Sequence, residues 1–385
     1  MPGSIPIDST SSGIKRIREI TLDQFTACFE GLEDPRSGNA APHDFHTLLI
    51  IALRTVLCGG QGAVDMALFA EAKEPFLRDF LDMRHGAPSH GTFSRLFRRL
   101  DPDQFRDAFQ RFMAAFSGTC QGVIAIDGKV LRRSFDRASG KSAPHMVSAW
   151  GCEQRMVLAR IATGEKSNEI TAVPKPLKML SLKDTIVTVD ALNCQRAIAR
   201  QIVDQGGGHA LALKGSQGTP HADVCLYLDD PAREAGDTDT TVDAGNGRIE
   251  TRAATLTGGI GWLQHHHKWP GLMCIGKITR TRETAAKTEV ETAYYLLSAA
   301  MTAGRFNAVI RSHWGMENRL HWRLDVIMNE DQDRDRMDNS PYDLAILRHM
   351  ALNVMRKEGS RGSPRGKFKR AAWNDTYLRR LLTMF

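Results

Sequence analysis

The sequence contains cysteines but no cysteine motif. Its seven cysteines lie at positions 28, 58, 120, 152, 194, 225 and 274, and no two of them approach CxxC spacing. That spacing argues against a zinc ribbon, a redox dithiol and a disulfide framework. We interpret the cysteines as reduced, buried thiols of a cytoplasmic protein.

Long hydrophobic runs are also missing. The longest, LLIIALRTVLCGG, is interrupted by Arg54 and is too short to cross a bilayer. The N-terminus MPGSIPIDSTSSG has no basic region followed by an apolar block, so we expect no signal peptide. With 42% hydrophobic and 25% charged residues, the chain is globular, and 385 residues predict two or three domains.

Positive charge is in excess. The net charge is +7, and the segment RKEGSRGSPRGKFKR, residues 356–370, holds seven Lys or Arg against one Glu. Such a segment is typically flexible and solvated, but it can also neutralise phosphates without reading a base sequence. The charge therefore favours a nucleic acid partner, and we expect cytoplasmic, nucleoid-associated localisation.

The N-terminal third has helical periodicity. Segments such as HDFHTLLIIALRTVLCG and DPDQFRDAFQRFMAAF carry apolar residues three and four positions apart. GAPSHGTFSRLFRRL combines a turn, a cap candidate at Ser89 or Thr92, and a basic helix with Arg95, Arg98 and Arg99. It resembles a helix-turn-helix recognition unit, and the basic solvent face of a bundle helix explains it equally well.

The pattern changes at Gln121. GVIAIDG predicts a buried strand ending at Asp127, HMVSAWGCE and RMVLARIAT predict a hairpin, and TIVTVDA predicts a buried strand ending at Asp190. Helix, strand and helix follow. This order predicts an α/β, RNase H-like catalytic core with a β-rich insertion, preceded by an all-α N-terminal domain. The expected divisions are a disordered N-terminus (1–19), a helical domain that binds DNA or associates with the core (20–118), the core (121–230 and 294–357), the insertion (231–293) and a basic tail (358–385).

A carboxylate lies within a helical stripe of HWGMENRLHWRLD. At about 100° per residue, an apolar and histidine-containing face surrounds Glu317. The face comprises Ile310, His313, Trp314, Leu320, His321 and Leu324. A buried carboxylate needs a cation, which is either an arginine from another helix or a metal ion.

Three carboxylates then point to one site. The carboxyl ends of sheet strands carry the chemistry of such folds, so Asp127 and Asp190 are expected at one sheet edge, where Glu317 from a later helix joins them. Oxygen ligands suit Mg²⁺ or Mn²⁺, and two such ions can assist in-line phosphoryl transfer. The alternative is that each aspartate caps a turn. Asp325 is a rival third carboxylate, about 80° from Glu317 on the helix.

The motifs resemble those of the H-repeat-associated insertion-sequence transposases of the DDE superfamily. LEDPR and GAPSHGTFSRLFRRLDP match the family's helical domain, IAIDGKVLRRS its first-aspartate block, LKDTIVTVDALNCQ its second, ALKGSQG a following block, and HWGMENRLHWRLDVIMNED its glutamate block. The resemblance runs from about Thr21 to Lys357. It implies that Asp127, Asp190 and Glu317 hold two Mg²⁺ ions, for which Mn²⁺ can substitute.

The implied reaction is cleavage of double-stranded DNA at transposon ends, followed by joining to target DNA. Pairing of two ends suggests a homodimer on DNA. One departure is that the YxxRxxxExxxxxxK pattern of wider relatives reads here as Ile310, His313, Glu317 and Leu324. The expected DNA contacts are Lys129, Arg132, Arg133, Lys214, Arg311, His313, Trp314, Asn318 and Arg319.

Alternatives remain open for several of these residues and for the function itself. A solvated turn explains the basic cluster after Asp127, and a core position is the commoner use of a tryptophan such as Trp314. For the whole chain, the alternatives are a DNA-binding relic without catalysis and an RNase H-like nuclease without strand transfer.

Overall fold

The computed structural model describes residues 25–36, 42–117, 120–135, 142–163, 169–233, 236–245 and 247–382. The disorder expected for residues 1–19 lies outside them. The chain forms two compact units. A helical unit comprises Met1–Gly118, Val130–Pro144 and Trp322–Phe385, and a sheet unit comprises Thr119–Lys129 and His145–His321.

The helical unit is built around one long helix, Ser340–Lys357, whose residues are buried along almost its whole length. The other helices are Phe45–Leu57, Ala63–Ala72, Glu74–Arg78, His90–Arg99, Pro102–Ser117, Trp322–Val326, Pro364–Trp373 and Asp375–Leu382. Ser89 caps the basic helix by accepting a hydrogen bond from Thr92 N. No described helix is long and apolar enough to cross a membrane.

The division of the chain differs from the expected one at its C-terminal side. Residues after His321 group with the N-terminal helices instead of with the catalytic core. The reason is the long helix Ser340–Lys357, which packs on the helices Phe45–Leu57, His90–Arg99 and Pro102–Ser117. A helix that is buried along almost its whole length has to be surrounded by other elements, and these helices cover it.

The described part of the expected basic tail is folded. Two helices, Pro364–Trp373 and Asp375–Leu382, bury Phe368, Leu378 and Leu381. Apolar residues three and four positions apart form one face of each helix, and the basic residues occupy the rest. The count of Lys and Arg over residues 356–370 indicated a flexible segment, because a total charge does not show on which face of a helix the apolar residues lie.

The sheet unit contains one nine-stranded sheet. Its strands are β1 Gly122–Val130, β2 His145–Gly151, β3 Met156–Thr163, β4 Thr185–Val189, β5 Gly208–Leu213, β6 Asp237–Gly245, β7 Arg248–Thr257, β8 Cys274–Thr284 and β9 Thr288–Leu297. The order is β3-β2-β1-β4-β5-β9-β8-β7-β6. Strand β4 is parallel to both β1 and β5, and β2 and β3 form the antiparallel hairpin expected from the sequence.

The first five strands have the order of an RNase H-like core, which confirms the predicted α/β fold. The helices of this unit are Glu169–Ala172, Pro174–Lys178, Arg196–Asp204, Thr219–Asp229, Gly261–His267 and Ala303–Met316. Strand β9 crosses the expected end of the insertion at residue 293. Its last residues pair with β5 of the core, and the same strand pairs along its length with β8. The β-rich segment therefore extends the core sheet.

The helix Ala303–Met316 packs on the extended part of the sheet. Thr302 caps its start, and the Ala303 amide donates to Asp237 Oδ2 of β6 over 2.6 Å. The ring of Phe306 covers Gly276 of β8, where a Cβ atom would lie 2.6 Å from two ring carbons. Glycine is thus required at 276 for the helix to approach the sheet this closely.

Candidate active site

Asp127 and Asp190 lie on adjacent parallel strands. Ile126 of β1 is the register partner of Val189 of β4, so each aspartate directly follows one member of a pair. Strand β4 ends before Asp190, as expected, whereas β1 continues to Val130 and Asp127 lies within it. The pairing of β1 with β4 nevertheless stops at Ile126, so both side chains are at the carboxyl edge of the paired region.

Both aspartates line one cavity of about 300 Å³. Glu317, His313, Trp314 and Lys214 line it too, and its other walls come from β4, β5, β9 and the helix Ala303–Met316. The structure therefore brings together all three predicted carboxylates and three of the nine expected DNA contacts.

Asp127 is held in its charged form. Burial alone would favour the neutral acid, but the adjacent His321 ring, the charge of His313 and the Gly128 amide together lower the pKa of Asp127. The Gly128 amide donates to Asp127 Oδ1 over 2.8 Å, and His321 Nε2 lies 3.4 Å from Oδ2. An ionised oxygen in a partly buried position is suited to bind a cation.

Asp190 caps the short helical turn Ala191–Asn193. Its Oδ1 accepts hydrogen bonds from Asn193 N at 3.3 Å and from Asn193 Nδ2 at 3.0 Å. The capping role weighed as an alternative is thus present, and it leaves Asp190 at the cavity wall. A carboxylate has lone pairs for a further ligand beyond these two bonds.

Glu317 is exposed, which contradicts the expectation of a buried carboxylate. Ile310, Leu320 and His321 of the stripe are buried, but Trp314 is 47% exposed. Trp314 and Glu317 occupy the border of the buried face, where the helix opens to the cavity. The helix also changes to a π-helical turn over Glu317–His321, so a constant 100° per residue fails beyond Met316.

His313 contacts the sheet beneath the cavity. Its Nδ1 lies 2.9 Å from the hydroxyl of Thr188 on β4. Burial lowers the pKa of His313, although Asp127 and Asp190 act in the opposite direction, and the nearby charge of His321 lowers it further. The ring is thereby favoured in its neutral form.

A group that could hold a metal ion comprises Asp127, Glu317 and His321. One ligand atom of each lies within 4.8 Å of the others. His321 was placed on the helical stripe, but it was not predicted as a ligand. The spacing of Glu317 and His321, four residues apart on a helix, was the signal that could have identified it. Asp325, the rival carboxylate, is not part of this group.

The remaining expected DNA contacts are dispersed. Arg311 forms an ion pair with Asp243 of β6, and Asn318 and Arg319 are exposed on the π-helical turn. Lys129 is near the end of β1. Arg132 and Arg133 are exposed in the helical unit, and Arg132 Nη1 lies 3.7 Å from Asp331 Oδ2. These two arginines are therefore not in the compact unit that holds the carboxylates.

Comparison with known proteins agrees with this architecture. A family described as "Transposase DDE domain" matches residues 118–354, and one described as "DDE_Tnp_1-associated" matches residues 26–113. The chain belongs to the DDE transposase family. Its relatives include proteins named as H repeat-associated, which confirms the resemblance found in the motifs.

Two curated relatives cover most of the chain. The Escherichia coli K12 protein named "H repeat-associated putative transposase YhhI" is 34% identical over 362 residues, which are 91% of this chain and 95% of the relative. An Escherichia coli O157:H7 protein, "Putative transposase YncI", is 33% identical over 359 residues, 91% and 92% of the two chains. A solved piggyBac transposase synaptic complex with hairpin DNA has a TM-score of 0.43 and 11% identity, covering 96% of this chain and 79% of that one.

Proposed function

We propose that this protein is an insertion-sequence transposase that cuts transposon ends and joins them to target DNA. The observation that carries the proposal is the cavity in which two aspartates of adjacent parallel strands meet the glutamate of a later helix. Membership of the DDE transposase family supports the same reaction class. The substrate would be double-stranded DNA of the nucleoid, in the cytoplasm.

Asp127, Asp190 and Glu317 are the residues that would hold two Mg²⁺ ions. Mn²⁺ would be able to substitute for Mg²⁺. When bound, the metal supplies activation of the attacking oxygen and stabilisation of the leaving oxygen in phosphoryl transfer. The donor set fits, because Asp127 is favoured as a carboxylate and Glu317 is exposed at the cavity. The chain itself then has to bind and orient the DNA strand.

Lys214 and Trp314 are two of the three proposed DNA contacts that line the cavity, the third being His313. A lysine there can bind a phosphate, and an exposed indole can stack on an unpaired base. Lys129, Arg132, Arg133, Arg311, His313, Asn318 and Arg319 are proposed contacts along the DNA path. Since a transposon has two ends, we also propose that two copies of the chain act together on DNA.

The proposed division of labour follows the expected segments. Residues 20–118 would bind DNA or associate with the core, and residues 231–293 would be the insertion between the second aspartate and the glutamate. Of the catalytic domain expected at 121–230 and 294–357, the part up to His321 would carry the chemistry, whereas residues 322–357 group with the helical unit. The basic residues of 358–382 would contact DNA phosphates from the surface of their helices.

A cleavage and joining assay tests the proposal. Purified protein and its Glu317→Gln variant are incubated with Mg²⁺ or Mn²⁺ and a plasmid that carries the DNA flanking the gene. We expect metal-dependent cuts at the flanks and joined products with the unmutated protein alone. Cuts without joined product would support a nuclease, and binding without cuts under either metal would support a DNA-binding relic. Equal cutting by both proteins would overturn the assignment of Glu317.

A further inference from the structure

We propose that His321 is a metal ligand, and that with Asp127 and Glu317 it forms a mixed nitrogen and oxygen site that binds Mn²⁺ more tightly than Mg²⁺. The inference rests on the proposed function, since it shares two of the three carboxylates. It adds a residue and a metal preference that the three carboxylates alone would not predict.

The state of the His321 ring is the first observation. The residue is only 5% exposed, and among the described residues neither ring nitrogen has a partner in good hydrogen-bond geometry, the 3.4 Å approach of Nε2 to Asp127 Oδ2 being an ion-pair contact. Leaving a buried polar nitrogen without a partner costs about 1–3 kcal/mol. The ring is nevertheless directed at the carboxylate site, because its Nε2 lies 3.4 Å from Asp127 Oδ2.

The geometry of the three side chains is the second observation. Ligand atoms of Asp127, Glu317 and His321 lie within 4.8 Å of one another. Two ligands of a single ion, each about 2.2 Å from it, can be separated by up to about 4.4 Å. Three atoms that share one ion at this distance and are equally spaced are about 3.8 Å apart, so the group has to contract by up to about 1 Å to bind one ion. Glu317 is the exposed member of the group, and rotation of its side chain would bring its carboxylate closer to the other two.

The local backbone explains why both residues reach the site. Glu317 opens the π-helical turn and His321 closes it. The wider turn changes the direction of side chains relative to a regular helix, and such turns are frequent at functional sites. Leu320, between them, is fully buried and anchors the turn.

The donor set determines the metal. Mg²⁺ prefers an octahedron of oxygen ligands, whereas imidazole nitrogen is a common ligand of first-row transition metals. A nitrogen ligand in the site therefore lowers the affinity for Mg²⁺ more than the affinity for Mn²⁺. The competing explanation is that His321 is simply an ion-pair partner of Asp127, which would need no metal at all.

Pulsed electron paramagnetic resonance of bound Mn²⁺ separates the two explanations, because a coordinated imidazole gives a ¹⁴N coupling. Full-length protein would be titrated with Mn²⁺, and Mg²⁺ would then compete for the site. The variants are His321→Gln and a control, His266→Gln, which removes an exposed histidine at the end of the helix Gly261–His267. Circular dichroism would establish that each variant is folded.

We expect a ¹⁴N coupling in the unmutated protein and in His266→Gln, and its loss in His321→Gln together with at least about tenfold weaker Mn²⁺ binding. Mn²⁺ bound without any ¹⁴N coupling in the unmutated protein would overturn the inference, whether or not the variant folds, and would leave the proposed function standing. Coupling that persists in folded His321→Gln would overturn it too. Failure of the unmutated protein to bind either metal would overturn the inference and would also count against the proposed function.

Discussion

The guanidinium carbon of Arg280 lies 5.4 Å from the centre of the Trp314 ring. Arg280 belongs to β8 of the extended sheet, and Trp314 belongs to the helix that supplies Glu317. One face of the indole is therefore occupied by a cation while the residue remains 47% exposed at the cavity. This arrangement fixes the orientation of the indole without burying it.

Replacement of Trp314 by alanine is expected to weaken DNA binding at the transposon end while the protein stays folded. If a base stacks on the indole, the loss corresponds to about 1–3 kcal/mol. Binding of flanking DNA, measured by fluorescence anisotropy, checks this, and Trp314→Phe should retain much of the affinity. Trp373→Ala, which removes another exposed tryptophan, is the control. Equal binding by Trp314→Ala and the unmutated protein would remove Trp314 from the DNA contacts.

Substitutions at Asp190 should separate its structural role from its chemical one. Asp190→Ala removes the side chain that caps the turn Ala191–Asn193, and we expect a loss of about 1 kcal/mol in the free energy of unfolding. Asp190→Asn keeps an oxygen for the cap and should unfold nearly as the unmutated protein does. Both variants should lose metal-dependent cleavage. Urea unfolding and the cleavage assay, run in parallel, check the two effects, and cleavage by Asp190→Asn would contradict a ligand role.

Alanine at position 276 is expected to destabilise the sheet unit by about 1–3 kcal/mol. Its Cβ would lie 2.6 Å from Cε1 and Cζ of Phe306, so the helix Ala303–Met316 would have to move away from β8. The smaller side chain in Phe306→Leu should relieve the clash, and the double variant should then lose less stability than the sum of the two single changes. Thermal unfolding of the four proteins measures this coupling. Strict additivity would mean that the two residues are not in contact.

Acid should weaken the helical unit through Glu358. Burial alone would raise the pKa of this carboxyl, but hydrogen bonds from Ser360, Lys367 and Tyr377 lower it to about 2. Its ordinary value is 4.5. The ionised group therefore stabilises the folded state above pH 4.5, and this contribution is lost as the pH falls from 4.5 towards 2.

The corresponding variant is Glu358→Gln. It leaves Lys367, which is itself buried, without its carboxylate, and we expect a loss of about 3 kcal/mol at pH 7. Denaturant unfolding at pH 7 and pH 3 should differ less for this variant than for the unmutated protein. Glu71→Gln, a change at an exposed position of the same unit, should leave that difference unaltered. An unchanged pH dependence in Glu358→Gln would assign the acid sensitivity to other carboxyls.

The sheet and its two aspartates could be predicted because strands leave a local signal. Each strand of the core is a short apolar run, and Asp190 follows one of them directly. The order of strands and helices then limits the topology to a few possibilities. The parallel pairing of β1 with β4 follows from that topology, and its register, with Ile126 opposite Val189, comes from the structure.

The glutamate region could not be predicted in the same way. A helical projection assumes a constant turn, and nothing in ENRLH reveals that these five residues form a π-helical turn. The exposure of Trp314 and Glu317 depends on where the helix leaves the sheet, which is a property of tertiary packing. The four-residue spacing of Glu317 and His321 is a sequence signal for a shared site, but the burial of the His321 ring beside Asp127 is visible only in the structure.

The shared strand β9 determines what removal of the insertion would do. Tyr294–Leu297 occupy the position between β5 and β8, and Ala293 and Tyr295 line the cavity as well. A deletion that ends at residue 293 would leave a four-residue stub against β5 and would remove all of β8, its other neighbour. The core sheet would then end at β5, whose outer edge would be left almost without a partner strand. A surface loop can be shortened without such consequences, whereas the segment 231–293 supplies neighbouring strands of the core sheet and part of the cavity wall.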